Sequence, residues 1–141
     1  MLYSIKIDTE EGNMKKVKYH NADGCPIKAT VDVLGGRWKP TLIYHLFSGT
    51  KRFNEIRRLM PDVTQRMVTL QLRELEEDGI VLRTVYAQVP PKVEYSLTPF
   101  GRTLEPVVQQ MQAWGETYIA TLPRTAVDET EASSWLCHRA P

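Results

Sequence analysis

The sequence predicts an α+β fold, mainly helical, in which a helix-turn-helix runs into a two-stranded β-hairpin and a long C-terminal helix follows. Three observations predict it. Between residues 51 and 78 apolar side chains recur at helical spacing with one interruption at Pro61. After Gly79 the period of the apolar pattern drops to two. From Thr98 onward Phe100, Leu104, Val107, Met111, Trp114 and Tyr118 follow one another at intervals of 4, 3, 4, 3 and 4, a heptad-like seam. Helix, turn, helix and hairpin in that order are the layout of a winged helix.

Cys25-Pro26-Ile27 starts a first helix, since proline suits the first helical position, and Ile27, Val31 and Leu34 form its apolar face before Gly35-Gly36 ends it. Trp38, Leu42 and Leu46 line a second helix that stops at Ser48-Gly49. Phe53, Ile56 and Leu59 share a face of the third, and Pro61 closes it, because the residue before a proline is driven out of the α region. Asp62 and Val63 make the turn. Thr64 is an N-cap for a fourth helix over about 64–78, whose Val68, Leu72 and Leu75 face the core. Gly79 suits the left-handed position after it. Val81 to Tyr86 and Lys92 to Leu97 alternate as half-buried strands. The intervening Ala87-Gln88-Val89-Pro90-Pro91 is too proline-rich for a two-residue turn. Thr98-Pro99 starts the last helix, expected over 98–120, in which Pro106 should cause a kink or cost about 3 kcal/mol.

At 141 residues the chain holds one domain with a real core. It divides into a polar extension (1–24), the winged helix-turn-helix (25–121) and a polar tail (122–141). No apolar run approaches the ~18 residues of a membrane span, and the first residues lack the apolar stretch of a signal peptide. A cytoplasmic protein, not a membrane one, is expected. Net charge is +1 but unevenly spread. Residues 37 to 66 carry seven positive and two negative side chains, a net of +5, whereas residues 104 to 141 carry two and five, a net of −3. A basic patch over a helix-turn-helix, with an acidic far side, suits docking onto double-stranded DNA. His20, His45 and His138 have no partner pattern and no catalytic or phosphate-loop motif is present, so neither an enzyme nor a cofactor is expected. Cys25 and Cys137 lack metal-ligand spacing.

On the fourth helix Gln65, Arg66, Thr69 and Arg73 face away from the core positions. Gln can read adenine, Arg guanine, and a Thr methyl can touch thymine. The helix start, at Thr64, attracts phosphate. The other end, with Glu74, Glu76, Glu77 and Asp78, is too acidic to lie on a DNA backbone, so the N-terminal half points into the groove. Arg52 and Lys92 are the expected phosphate clamps. A winged helix that binds only another protein is the alternative, which the +5 patch disfavours.

Cys25-Pro26-Ile27, Gly35-Gly36-Arg37-Trp38, Arg52-Phe53-Asn54-Glu55-Ile56, Thr64-Gln65-Arg66-Met67, the run from Leu72 to Val81, the run from Val89 to Gly101, and Trp114 occur in order. As a set the chain resembles the HxlR-type branch of winged-helix regulators, relatives of the MarR group, over about residues 25 to 120. The resemblance implies a homodimeric transcription regulator whose dimer is built from helices flanking the winged helix. Leu104, Val107, Met111, Trp114 and Tyr118 are the expected interface. The positive end of a helix favours a thiolate at Cys25, and several members of the resembling family sense oxidants or electrophiles through a cysteine at this place. The expectations are therefore a small-molecule oxidant or electrophile as effector, or else a ligand that acts without the thiol.

Overall fold

The computed structural model describes residues 24 to 123. Residues outside that span include nearly all of the expected extension and tail, with Trp135 and Cys137. Helices α1 (Pro26–Leu34) and α2 (Lys39–Leu46) lead into a short strand β1 (Lys51–Arg52), then α3 (Phe53–Leu59) and α4 (Gln65–Glu77). The hairpin β2 (Val81–Tyr86) and β3 (Lys92–Leu97) follows, then α5 (Pro99–Arg102) and α6 (Glu105–Thr121). The chain forms two compact units, one ending at Glu105 and one beginning at Pro106.

The core of the first unit is built from the faces that periodicity selects. Leu42 and Leu46 of α2, Ile56 of α3, and Val68, Leu72 and Leu75 of α4 are all buried. In α3 the match is incomplete: Leu59 is exposed, and Met60 and Val63, just past the helix, are buried instead. Leaving the helix rotates the next side chains inward, which a helical wheel does not anticipate. On α1 only Leu34 is buried, while Ile27 and Val31 are 75% and 59% exposed.

The sheet has three strands where the hairpin pattern predicts two, in the order β1-β3-β2 and antiparallel throughout. Lys51 and Arg52 lie opposite Tyr95 and Glu94, so the wing is tied to the segment that opens the helix-turn-helix. Two residues are too few to show alternation, and only pairing with a strand some forty positions away defines them as a strand.

Helix α4 is capped at both ends as the sequence predicts. The Thr64 hydroxyl accepts from the Met67 N–H at 3.2 Å. At the other end Gly79 has φ +74°, its N–H donates to the Glu76 carbonyl (3.1 Å), and the Ile80 N–H donates to the Leu75 carbonyl (2.9 Å). These two bonds form a Schellman motif, which ends the helix and sends the chain into β2. The corner is then fastened from the far side of the wing. The Thr98 N–H donates to the Ile80 carbonyl at 3.0 Å and the Thr98 hydroxyl to the Gly79 carbonyl at 2.6 Å.

One ion pair joins α2 to α4. Lys39 is 7% exposed, and its Nζ lies 2.8 Å from Glu74 Oε2. Nearby, burial raises the pKa of the Asp78 carboxyl from its ordinary 3.8; the Lys39 charge opposes the rise and the Glu74 and Glu77 charges add to it. A carboxyl whose folded pKa is raised binds its proton more tightly when folded, so stability is lost as pH rises from 3.8 through the folded value. Asp78→Asn is therefore expected to raise the melting temperature at neutral pH, and the gain should vanish below pH 3.8. A negative charge at a helix C-terminus also opposes the helix dipole, which adds to the same gain. An equal shift at both pH values would refute this account.

The expected helix over 98–120 is two helices. Thr98 caps α5, accepting from the Gly101 N–H at 2.9 Å. The Thr103 and Leu104 N–H groups then donate to the Phe100 and Gly101 carbonyls, both at 3.1 Å, and α6 starts afresh at Glu105. Pro106 is consequently the second residue of a helix and not an interior one. The N–H it lacks has no acceptor to lose there, so the expected kink does not arise. Leu104 falls in the intervening turn. Within α6, Val107, Met111, Trp114 and Tyr118 are all exposed, and Trp114 stacks on Tyr118 with ring centroids 5.5 Å apart.

Candidate nucleic-acid interface

The core packing of Val68, Leu72 and Leu75 fixes which way α4 faces. Gln65, Arg66, Thr69 and Arg73 are all exposed, as their offsets from those three positions require. Thr64 is committed to capping, which leaves the first-turn N–H groups of α4 as its donors to an anion. The Thr69 hydroxyl donates to the Gln65 carbonyl at 2.9 Å, so this side chain has its methyl group to offer a partner. Leu70, between Arg66 and Arg73 and 44% exposed, was not among the expected contacts. Its position two residues from both Val68 and Leu72 puts it opposite the core, and that spacing was the signal for it.

The two expected clamps differ. Arg52 is the N-cap of α3; its own N–H donates to Glu55 Oε1 at 3.4 Å and its side chain is exposed. Lys92 is engaged. Its Nζ lies 2.9 Å from Glu94 Oε1 and 4.9 Å from the centre of the Tyr86 ring, and the Tyr86 hydroxyl donates to Glu94 Oε2 at 3.2 Å. The bond from Lys92 holds the Glu94 carboxyl below the ordinary carboxylate range, helped by Tyr86 and by the charges of Lys92 and Arg52, with slight burial opposing.

Of the seven positive side chains between 37 and 66, Lys39 is neutralised in the core by Glu74. Arg37 lies over the Trp38 ring at 4.8 Å. Arg52, Arg58 and Arg66 remain exposed. Glu74, its side chain 40% exposed, is correspondingly the partner of Lys39 and not simply part of an acidic helix end. Cys25 is the N-cap of α1, with φ −72° and ψ 116°, and is half-buried.

Residues 33–122 match the HxlR-like helix-turn-helix family. The chain belongs to this family. It is a transcriptional regulator of the helix-turn-helix type. It is 67% identical over 103 residues to the uncharacterized HTH-type transcriptional regulator YybR of Bacillus subtilis (strain 168), covering 73% of this chain and 82% of the relative. Among solved structures, the redox regulator HypR in its reduced form is 68% identical with a TM-score of 0.64, covering 66% of this chain and 92% of that one. YodB of B. subtilis, in its reduced form, is 41% identical with a TM-score of 0.60, covering 67% and 93%. HypR is also known in an oxidized form, and YodB in diamide-treated and quinone-bound forms.

Proposed function

We propose that this HxlR-like regulator acts in the cytoplasm as a homodimer on an inverted-repeat operator, and that oxidation or modification of Cys25 controls its grip on DNA. The observation that carries the DNA reading is the face of α4 opposite the core, where Gln65, Arg66, Thr69 and Arg73 are all exposed. The first-turn amides behind Thr64 favour a phosphate at the groove edge. Arg52 flanks the helix from the start of α3, and Lys92 does so from the wing once it gives up Glu94. A two-fold dimer would present its recognition helices about one DNA turn apart, roughly 34–36 Å, which calls for two half-sites related by inversion. Footprinting on a duplex selected from a random pool should show two protected major-groove segments. Arg66→Ala should relax base preference, costing about 1–3 kcal/mol for the guanine contact. Retention of full specificity by Arg66→Ala would place the reading face elsewhere.

The thiol control rests on two supports. One is the position of Cys25 at the N-cap of α1, a helix whose Ile27 and Val31 are exposed. The other is the similarity to HypR and YodB, whose oxidized, diamide-treated and quinone-bound forms are known. Two Cys25 thiols, one per subunit, can lose two protons and two electrons to diamide, which becomes the hydrazine as a disulfide forms. A quinone instead adds to the thiolate, forming a carbon–sulfur bond. Either event would alter the spacing of the recognition helices. Diamide should abolish operator binding by the wild type and leave Cys25→Ser unaffected. Equal loss in both proteins would assign control to another group or to a ligand that acts without the thiol.

A further inference from the structure

Where α4 meets the root of the wing, Thr69, Arg73 and Glu76 of the helix, Arg83 of β2 and Tyr95 of β3 line one polar cleft. Residues 69, 73 and 76 follow the i, i+4, i+7 spacing of a single helical face, and Arg83 lies directly across the ladder from Tyr95, on the same face of the sheet. Arg73 and Arg83 are both exposed, and neither makes an ion pair among the described residues. The cleft therefore holds two guanidinium groups and one carboxylate.

We propose that this cleft is a binding site for a backbone phosphate of duplex DNA, with Arg83 as the wing's principal contact and Arg73 closing from the helix. The inference rests on the DNA-binding reading above. With the N-terminal half of α4 in a major groove, the strand bordering that groove passes between the helix and the wing, and the cleft opens there. Guanidinium forks match the paired oxygens of a phosphate. Lys92 must give up a 2.9 Å ion pair with Glu94 to reach a phosphate, whereas Arg83 gives up none. Although Glu76 lies in the acidic end of α4, Arg73 and Arg83 outnumber it, so the cleft carries a net +1 that a singly charged phosphodiester balances.

The test is the affinity of the full chain for a selected duplex and for random duplex, between about 50 and 200 mM salt. Arg83→Ala should weaken both duplexes by the same factor and leave their ratio unchanged. It should also flatten the logarithmic salt slope by about one for each subunit bound. Arg83→Lys should recover most of the slope, and Lys92→Ala should change it by less than Arg83→Ala does. Thermal melting checks that the variants fold; should Arg83→Ala fail, Arg83→Gln is read in its place. An unchanged slope in a folded Arg83→Ala that still binds DNA overturns the site alone. A changed ratio at constant slope makes Arg83 a base reader and overturns it too. Sodium phosphate at fixed ionic strength should compete equally against wild type and Arg83→Ala; selective competition in the wild type assigns the cleft to free phosphate and overturns the assignment to DNA. Absence of any duplex binding by the wild type at low salt overturns the DNA-binding reading, and the site with it.

Discussion

Gly101→Ala is expected to destabilise the winged-helix unit by about 3 kcal/mol or more, the upper range for overpacking a site that cannot yield. Gly101 is buried in α5, and an added Cβ would overlap the Ile80 carbonyl oxygen while approaching the Ile80 carbonyl carbon and Cγ2 to 3.1 and 3.2 Å. Ile80 has no room to retreat. Its N–H is held by the Leu75 carbonyl at 2.9 Å, its carbonyl by the Thr98 N–H at 3.0 Å, and its side chain is fully buried. The clash therefore falls on the corner that joins α4 to the wing, so the orientation of α4 should suffer along with stability. Thermal and urea melting measure the first effect, and affinity for a selected duplex at a temperature where the variant is folded measures the second. A melting temperature equal to wild type would show that α5 can shift without cost.

Trp114→Ala is expected to weaken self-association by about 3 kcal/mol, more than a hundredfold in dissociation constant, the effect typical of a central tryptophan in an interface. Trp114 is 69% exposed and stacks on Tyr118 at an interplanar angle of 10°; with Val107 and Met111 the two rings continue one apolar stripe along α6. A contiguous apolar stripe of this kind marks an association surface. Sedimentation across micromolar concentrations should show a wild-type dimer and dissociation of the variant. A wild type that stays monomeric would remove the dimer from the proposed function. Dimers of equal strength in both proteins would move the interface off this stripe.

The sequence by itself determined helix α4 and its caps. The Thr64 cap, the Gly79 stop and the Val68, Leu72 and Leu75 face act within a few residues of one another, so the chain's local chemistry makes them legible. The same locality made Gln65, Arg66, Thr69 and Arg73 legible as an exposed face. The tertiary structure decided whatever depends on residues distant in the chain. Strand β1 exists because Lys51 and Arg52 pair with Tyr95 and Glu94. Lys39 left the basic patch because it is buried and paired with Glu74, thirty-five positions on. The break before Glu105 puts Pro106 in the first turn of a helix, whereas the apolar spacing alone runs straight through it. The alternation sets Arg83 among Val81 and Val85, and Lys92 on the opposite face of the sheet with Glu94 and Ser96. Only side-chain geometry shows which of the two is engaged, with the lysine held by Glu94 and the arginine open in the cleft beside α4.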